Sequence, residues 1–204
     1  MDLQIPQWQS FEQVLNSWLS GMLLTPIEIE QGIALADLKH YASELEFMFS
    51  ADHLHTEALD QLCRESIYPA LNRSTLEPQA IDGVIKGFID LTFEINGRYW
   101  VCDYKSNWLG PNVAAYGEVS MQQALVEHRY DLQLMIYLLA LHRMLLTRDA
   151  DYRRDPKQGY EQRVGGAVYL YIRGIPEGKG TLAVKPTYDQ IMRCDALFRS
   201  SGDL

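Results

Sequence analysis

Cysteine is scarce in this 204-residue chain: Cys63, Cys102 and Cys194 form an odd, widely spaced set without any C-x-x-C. That pattern argues against a disulfide framework, a zinc site or an iron–sulfur cluster, and for a reducing, cytoplasmic setting. Long apolar runs are missing too. No stretch of eighteen apolar residues occurs, and Met1-Asp2-Leu3-Gln4-Ile5-Pro6 lacks the basic start and apolar block of a signal peptide, so a soluble protein is expected. Positive charge is short as well, with 18 Lys and Arg against 27 Asp and Glu, a net charge of −9. Phosphate neutralisation by Lys and Arg supplies most non-specific affinity for nucleic acid, so the balance counts against an autonomous DNA-binding module. Repeats and low-complexity tracts are absent. An apolar content of 47% suffices for one sizeable core, most simply a single domain over residues 1–204.

What is present is concentrated in two strand-like runs, Gly83 to Ile95 and Arg98 to Lys105, separated by Asn96-Gly97. Asn-Gly between β-rich runs is a strong hairpin signal, because a type I′ turn needs positive φ at both central residues. With Ile95 and Arg98 flanking the turn, the register puts Asp90 opposite Asp103 and Phe93 opposite Trp100, with Lys105 on the face of Asp103. Opposed like charges destabilise a sheet; at roughly 5 Å and an effective dielectric near 20 their repulsion is about 3 kcal/mol. A divalent cation between the carboxylates reverses that sign, and hard oxygen donors favour Mg²⁺, Mn²⁺ or Ca²⁺. A metal site beside an ammonium suits phosphodiester hydrolysis, with Lys105 stabilising transition-state charge or orienting the attacking water. The alternative is two solvent-facing carboxylates and a weak surface ion pair. Spacing alone does not separate these.

Elsewhere the periodicity predicts a helix over Ser10–Leu23 with Ser10 as N-cap, a short extended link over Thr25–Glu30 and a strand over Glu44–Ser50. A helix over His55–Leu71 buries Leu59, Leu62, Ile67 and Leu71, and a polar loop runs over Asn72–Ala80. Helices follow near Val119–Glu127 and over Asp131–Thr147, the second apolar almost all round and therefore buried. Gln133 and Tyr137 share one face of it. They either face the metal or form a buried Gln–Tyr hydrogen bond. Arg148–Arg163 is highly charged and reads as a mobile solvated loop. Val168–Ile172 is a strand covered on both faces, and Thr187–Phe198 a terminal helix. Trp100 reads as core, whereas Trp108 stays open between packing and stacking on an unpaired base.

Asp90, the hairpin and Asp103-Tyr104-Lys105 together resemble the core of the PD-(D/E)xK nuclease superfamily. The longer strings Lys86-Gly87-Phe88-Ile89-Asp90-Leu91 and Asp103-Tyr104-Lys105-Ser106-Asn107-Trp108-Leu109-Gly110 are similar to the RecB-type nuclease domains of that superfamily. So are the helix carrying Gln133 and Tyr137 in a Q-x-x-x-Y pattern and the late strand Gly165–Gly174. The resemblance covers about Glu44 to Pro186.

It implies an α/β fold: a mixed central β-sheet flanked by helices, with a helical N-terminal segment (1–35), a nuclease core (44–186) and a C-terminal helix and tail (187–204). It implies Mg²⁺-dependent cleavage of DNA strands unwound by a helicase, in double-strand-break repair and recombination. Asp90, Asp103 and the main-chain carbonyl of Tyr104 become metal ligands, Lys105 the catalytic lysine, and Gln133 and Tyr137 substrate-facing residues. Glu44 or Glu46 becomes a further site acid; a strand would put both on one face, so the choice stays open. RecC-like and RecD-like subunits and a RecA-type recombinase become the implied partners. The absence of a four-cysteine cluster, which several relatives carry around the same core, places the chain on the RecB side.

One departure stands out. The family carries a histidine metal ligand on an earlier helix, and His40, His53, His55, His128 and His142 all lack its surroundings. The chain therefore reads as a piece that begins after that helix, or as a homologue that lost it, with its activity alone in doubt. The competing function is a catalytically inactive nuclease-like scaffold that docks partner subunits or a recombinase. The missing histidine and negative charge speak for it; the retained carboxylates and lysine speak against it.

Overall fold

The computed structural model describes residues 6–199. Helix α1 (Pro6–Leu24) leads into strands β1 (Pro26–Ile27) and β2 (Ile33–Ala34), then β3 (His40–His55), α2 (Thr56–Ser66), β4 (Ala80–Ile95) and β5 (Arg98–Lys105). The chain continues through α3 (Glu118–Glu127), α4 (Tyr130–Arg148), α5 (Ala150–Arg154), α6 (Pro156–Arg163), β6 (Val164–Tyr171), β7 (Thr181–Val184) and α7 (Tyr188–Phe198). Five strands form one sheet in the order β3–β4–β5–β6–β7, antiparallel throughout except for the parallel pair β5 and β6. This is the expected mixed sheet flanked by helices. The expected segment ends 1–5 and 200–204 lie outside the described residues, and no described helix is long and apolar enough to cross a membrane.

The β4–β5 hairpin has the anticipated turn. Asn96 and Gly97 both take positive φ, 52° and 81°, and the Glu94 carboxylate accepts the Gly97 N–H at 2.5 Å. The register is the expected one from Ile95↔Arg98 to Leu91↔Cys102, and Phe93 stacks on Trp100 with ring centroids 6.5 Å apart. Alternation along β5 feeds two cores. Val101 joins the core under α2, α3, α4 and α7, whereas Trp100 and Cys102 join Ile27, Ile29 and Leu38 on the other face. Each buried Leu, Ile or Phe contributes about 1.5–3 kcal/mol. All eight residues of β6 are buried, as a strand covered on both faces requires.

Several sequence expectations are corrected. Helix α1 begins at Pro6, so Ser10 lies inside it rather than capping it, and the segment over 1–35 is helical only as far as Leu24. The extended link over Thr25–Glu30 is half of a small hairpin, with Ile27 and Ile29 buried beneath the sheet. Helix α2 stops at Ser66, and Ile67 caps it through its N–H to the Cys63 carbonyl. The largest correction concerns Arg148–Arg163, which forms two short helices rather than a solvated loop. Asp149 accepts the N–H groups of Asp151 and Tyr152, Asp155 accepts that of Gln158, and Pro156 opens α6. The acids that looked like solvated charge are helix caps, and Tyr152 and Tyr160 are fully buried between them.

Candidate functional site

Strand β5 lies at the centre of the sheet and carries Asp103 and Lys105 on the face beneath α4. Both are buried, Asp103 at 6% and Lys105 at 8% exposure. Lys105 Nζ donates to Asp103 Oδ2 at 2.6 Å and to Gln133 Oε1 at 2.9 Å. Gln133 Nε2 donates in turn to Asp103 Oδ1 at 2.8 Å and to the Tyr137 hydroxyl at 2.9 Å. The Tyr137 hydroxyl donates to the Phe88 carbonyl at 2.8 Å, which ties α4 to β4. The Gln–Tyr hydrogen bond is present, and Gln133 also spans the acid and the lysine.

Asp90 reaches this cluster through a break in β4. The ladder to β5 ends at Leu91↔Cys102, and beyond it the Tyr104 N–H donates to Asp90 Oδ2 at 3.0 Å. Asp90 and Asp103 are therefore brought together, though not as a ladder pair. Ile89 packs in the α4-side core, while Leu91 and Phe93 pack on the opposite face. Strict alternation would put all three on one face, so it breaks at Asp90. Across on β3 the pairing skips from Ser43↔Leu91 to Leu45↔Ile89, which leaves Glu44 opposite Asp90 with a left-handed φ of 51°. Glu46 instead pairs with Phe88 and forms an ion pair with Lys86 at 2.9 Å. A regular strand would have given Glu44 and Glu46 equal standing; the irregularity at Glu44 distinguishes them.

Burial raises the Asp103 carboxyl above the usual carboxylate range; Lys105 opposes that shift and the charge of Asp90 adds to it. Burial likewise pushes the Tyr137 hydroxyl up to about 12, with Asp103 adding to the shift. Asp103 pairs with Lys105 and Asp90 accepts the neighbouring Tyr104 N–H, so the two acids offer only oxygen donors. That set fits a hard divalent cation better than a soft one.

Two aromatic residues that the sequence did not single out complete the cluster. The Tyr130 ring centroid lies 3.5 Å from Lys105 Nζ and that of Tyr169 5.1 Å away. Tyr130 is three residues before Gln133, so the spacing that placed Gln133 and Tyr137 on one helical face holds for Tyr130 too. The start of α4 is anchored by Asp131, fully buried and paired with Arg73 at 2.7 Å and Arg129 at 3.1 Å. Trp108 is 67% exposed, so it is not a core residue. Among the described residues, Asp90 bonds to the Tyr104 N–H and Asp103 to Gln133 and Lys105, and no histidine takes part in these contacts. Asp52, His53 and Asp82 could together hold an ion, but they are exposed and separate from this cluster.

The family model described as the PD-(D/E)XK nuclease superfamily matches residues 8–199. The chain is 37% identical over 198 residues to the RecBCD enzyme subunit RecB of Escherichia coli (strain K12), covering 94% of this chain and 16% of that protein. It is 34% identical to the RecB subunit of Haemophilus influenzae, covering 93% of this chain and 15% of that protein. To RecB of Mycobacterium tuberculosis (strain ATCC 25618 / H37Rv) it is 36% identical over 106 residues, which covers 52% of this chain and 9% of that protein. The chain thus spans about 16% of the length of the first two relatives. A family match over nearly all described residues, on a mixed sheet that gathers two aspartates and a lysine at its centre, means that the chain belongs to the PD-(D/E)XK nuclease superfamily.

Proposed function

We propose that this chain is the DNA-cleaving domain of a RecBCD-type helicase–nuclease, hydrolysing phosphodiesters of unwound strands by exonuclease and endonuclease cuts in double-strand-break repair and recombination. The observation that carries the reading is the buried Asp103–Lys105–Gln133 cluster with Asp90 bonded to the adjoining Tyr104 N–H. Asp90, Asp103 and the main-chain carbonyl of Tyr104 would hold Mg²⁺, which Mn²⁺ or Ca²⁺ could replace, and the position of Glu44 across from Asp90 supports it over Glu46 as the further acid. When bound, the cation supplies charge stabilisation at the phosphoryl group and acidifies a water molecule.

The chain's own residues do the rest. Lys105 directs its ammonium at the negative charge that develops on the phosphate. Gln133 fixes the orientation of Asp103 and Lys105 together, and Tyr137 fixes Gln133. DNA is the substrate, RecC-like and RecD-like subunits are the partners, a RecA-type recombinase is a further one, and the setting is cytoplasmic. The test is cleavage of a labelled single-stranded oligonucleotide with Mg²⁺ by the wild type, Asp103→Ala and Lys105→Ala. Removing a group that stabilises transition-state charge lowers kcat by about 100-fold or more. Equal cleavage by all three proteins, or cleavage without a divalent ion, contradicts the reading; a chain that binds a partner but never cleaves is the docking scaffold instead.

A further inference from the structure

We propose that Tyr130 is a positioning residue for Lys105, its ring holding the ammonium in place without neutralising it. The proposal rests on Lys105 being the lysine of the cleavage site. Three groups surround Lys105 Nζ closely: Asp103 Oδ2 at 2.6 Å, Gln133 Oε1 at 2.9 Å and the Tyr130 ring at 3.5 Å. Only the first is charged, and it belongs to a carboxylate whose oxygens fit a cation. Once Asp103 serves a cation, the lysine keeps its two neutral partners. An amide oxygen and a ring face attract an ammonium yet leave its charge available to a phosphate; a second carboxylate would cancel most of it.

The ring is held from several sides. Its hydroxyl donates to Asn107 Oδ1 at 3.3 Å, His128 stacks on it at 5.4 Å, and Tyr169 stacks at 5.9 Å. The Tyr169 hydroxyl donates to the Tyr130 carbonyl at 2.7 Å, so the second ring near the lysine also fixes the backbone that carries the first. A lysine stem has four flexible torsions, and a ring over its tip restricts where the charge can go. Burial strengthens the contact, because cation–π attraction grows as the cation loses water.

The test uses the full chain, with lysine labelled with ¹³C at the ε position. In the metal-free wild type the Lys105 ε-methylene resonance is expected upfield of the exposed lysines, from the ring current of Tyr130. Tyr130→Phe keeps that shift and Tyr130→Leu loses it. In Mg²⁺-dependent cleavage of a single-stranded oligonucleotide, Tyr130→Leu is expected to lower kcat about tenfold to thirtyfold, with KM and Mn²⁺ affinity within about twofold and Tyr130→Phe within about threefold of wild type. Should Tyr130→Leu not fold, Tyr130→Met, also without a ring, carries the same expectation. A Lys105 resonance among the exposed lysines in the wild type overturns the proposal. So does wild-type turnover in a folded ringless variant while Lys105→Ala is impaired. A wild type that shows the shift but never cleaves overturns the nuclease reading, and the role given to Tyr130 with it.

Discussion

His142 sits among Tyr152, Tyr160 and Tyr188, fully buried, with Nδ1 2.7 Å from the Tyr152 hydroxyl and, among the described residues, no partner for Nε2. Burial holds its pKa below the ordinary histidine value; Arg143 and Arg199 add to the depression and Asp195 opposes it. Below about pH 6.5 the unfolded chain therefore binds a proton that the folded chain refuses, so this contribution is complete above that pH and declines as the pH falls towards the folded value. Urea unfolding of the wild type should lose stability between pH 7.5 and 5.5, with His142 contributing at most about 1.4 kcal/mol per pH unit, the limit for one proton. His142→Gln should lose less over the same range; an equal loss contradicts this account. Residue by residue, the site was legible where a local pattern carried it: Asn96-Gly97 fixed the register that brought Asp90 towards Asp103, and i, i+4 spacing joined Gln133 to Tyr137. Tyr130 and Tyr169 were not legible, because an aromatic side chain in a helix or strand reads as core until the lysine beneath it is seen.

At the scale of elements, the placement of α4 depends on charge buried outside the cleavage cluster. Arg73 and Asp131 have almost no exposed side-chain surface and pair at 2.7 Å, while Arg73 also donates to the carbonyls of Ile67 and Tyr68. Arg129, at a left-handed φ of 57°, bonds to Asp131 and to Asp60 of α2. Removing Arg73 leaves the buried Asp131 to Arg129 alone and takes the donor from the Ile67 and Tyr68 carbonyls, so Arg73→Ala should cost about 3 kcal/mol in chemical denaturation. A cost within about 0.5 kcal/mol, as for an ordinary surface change, contradicts the anchoring role. The sequence hid this network: Arg73 lies in a stretch that reads as a polar loop, and its partner is 58 residues away. The same blindness to long-range burial explains Arg148–Arg163, where Asp149 and Asp155 looked like solvent-facing charge. The break in β4 was hidden for another reason. Nothing local to Asp90 signals it, because it arises where one strand must leave β5 while staying paired with β3.

At the scale of the molecule, a net charge of −9 surrounds a proposed phosphate-cutting site. Oligonucleotide binding should therefore be weak in EDTA and rise when Ca²⁺ is added, as fluorescence anisotropy would report; binding unchanged by Ca²⁺ contradicts a cation site formed by the acids. Calorimetric titration of Mn²⁺ into the wild type, Asp90→Ala, Asp103→Ala and Asp82→Ala tests the centre of the account most directly. Saturable binding is expected in the wild type and in Asp82→Ala, which alters only the exposed Asp52–His53–Asp82 group, and its loss is expected in the other two. Binding that survives removal of Asp90 and Asp103 but disappears with Asp82 would contradict it.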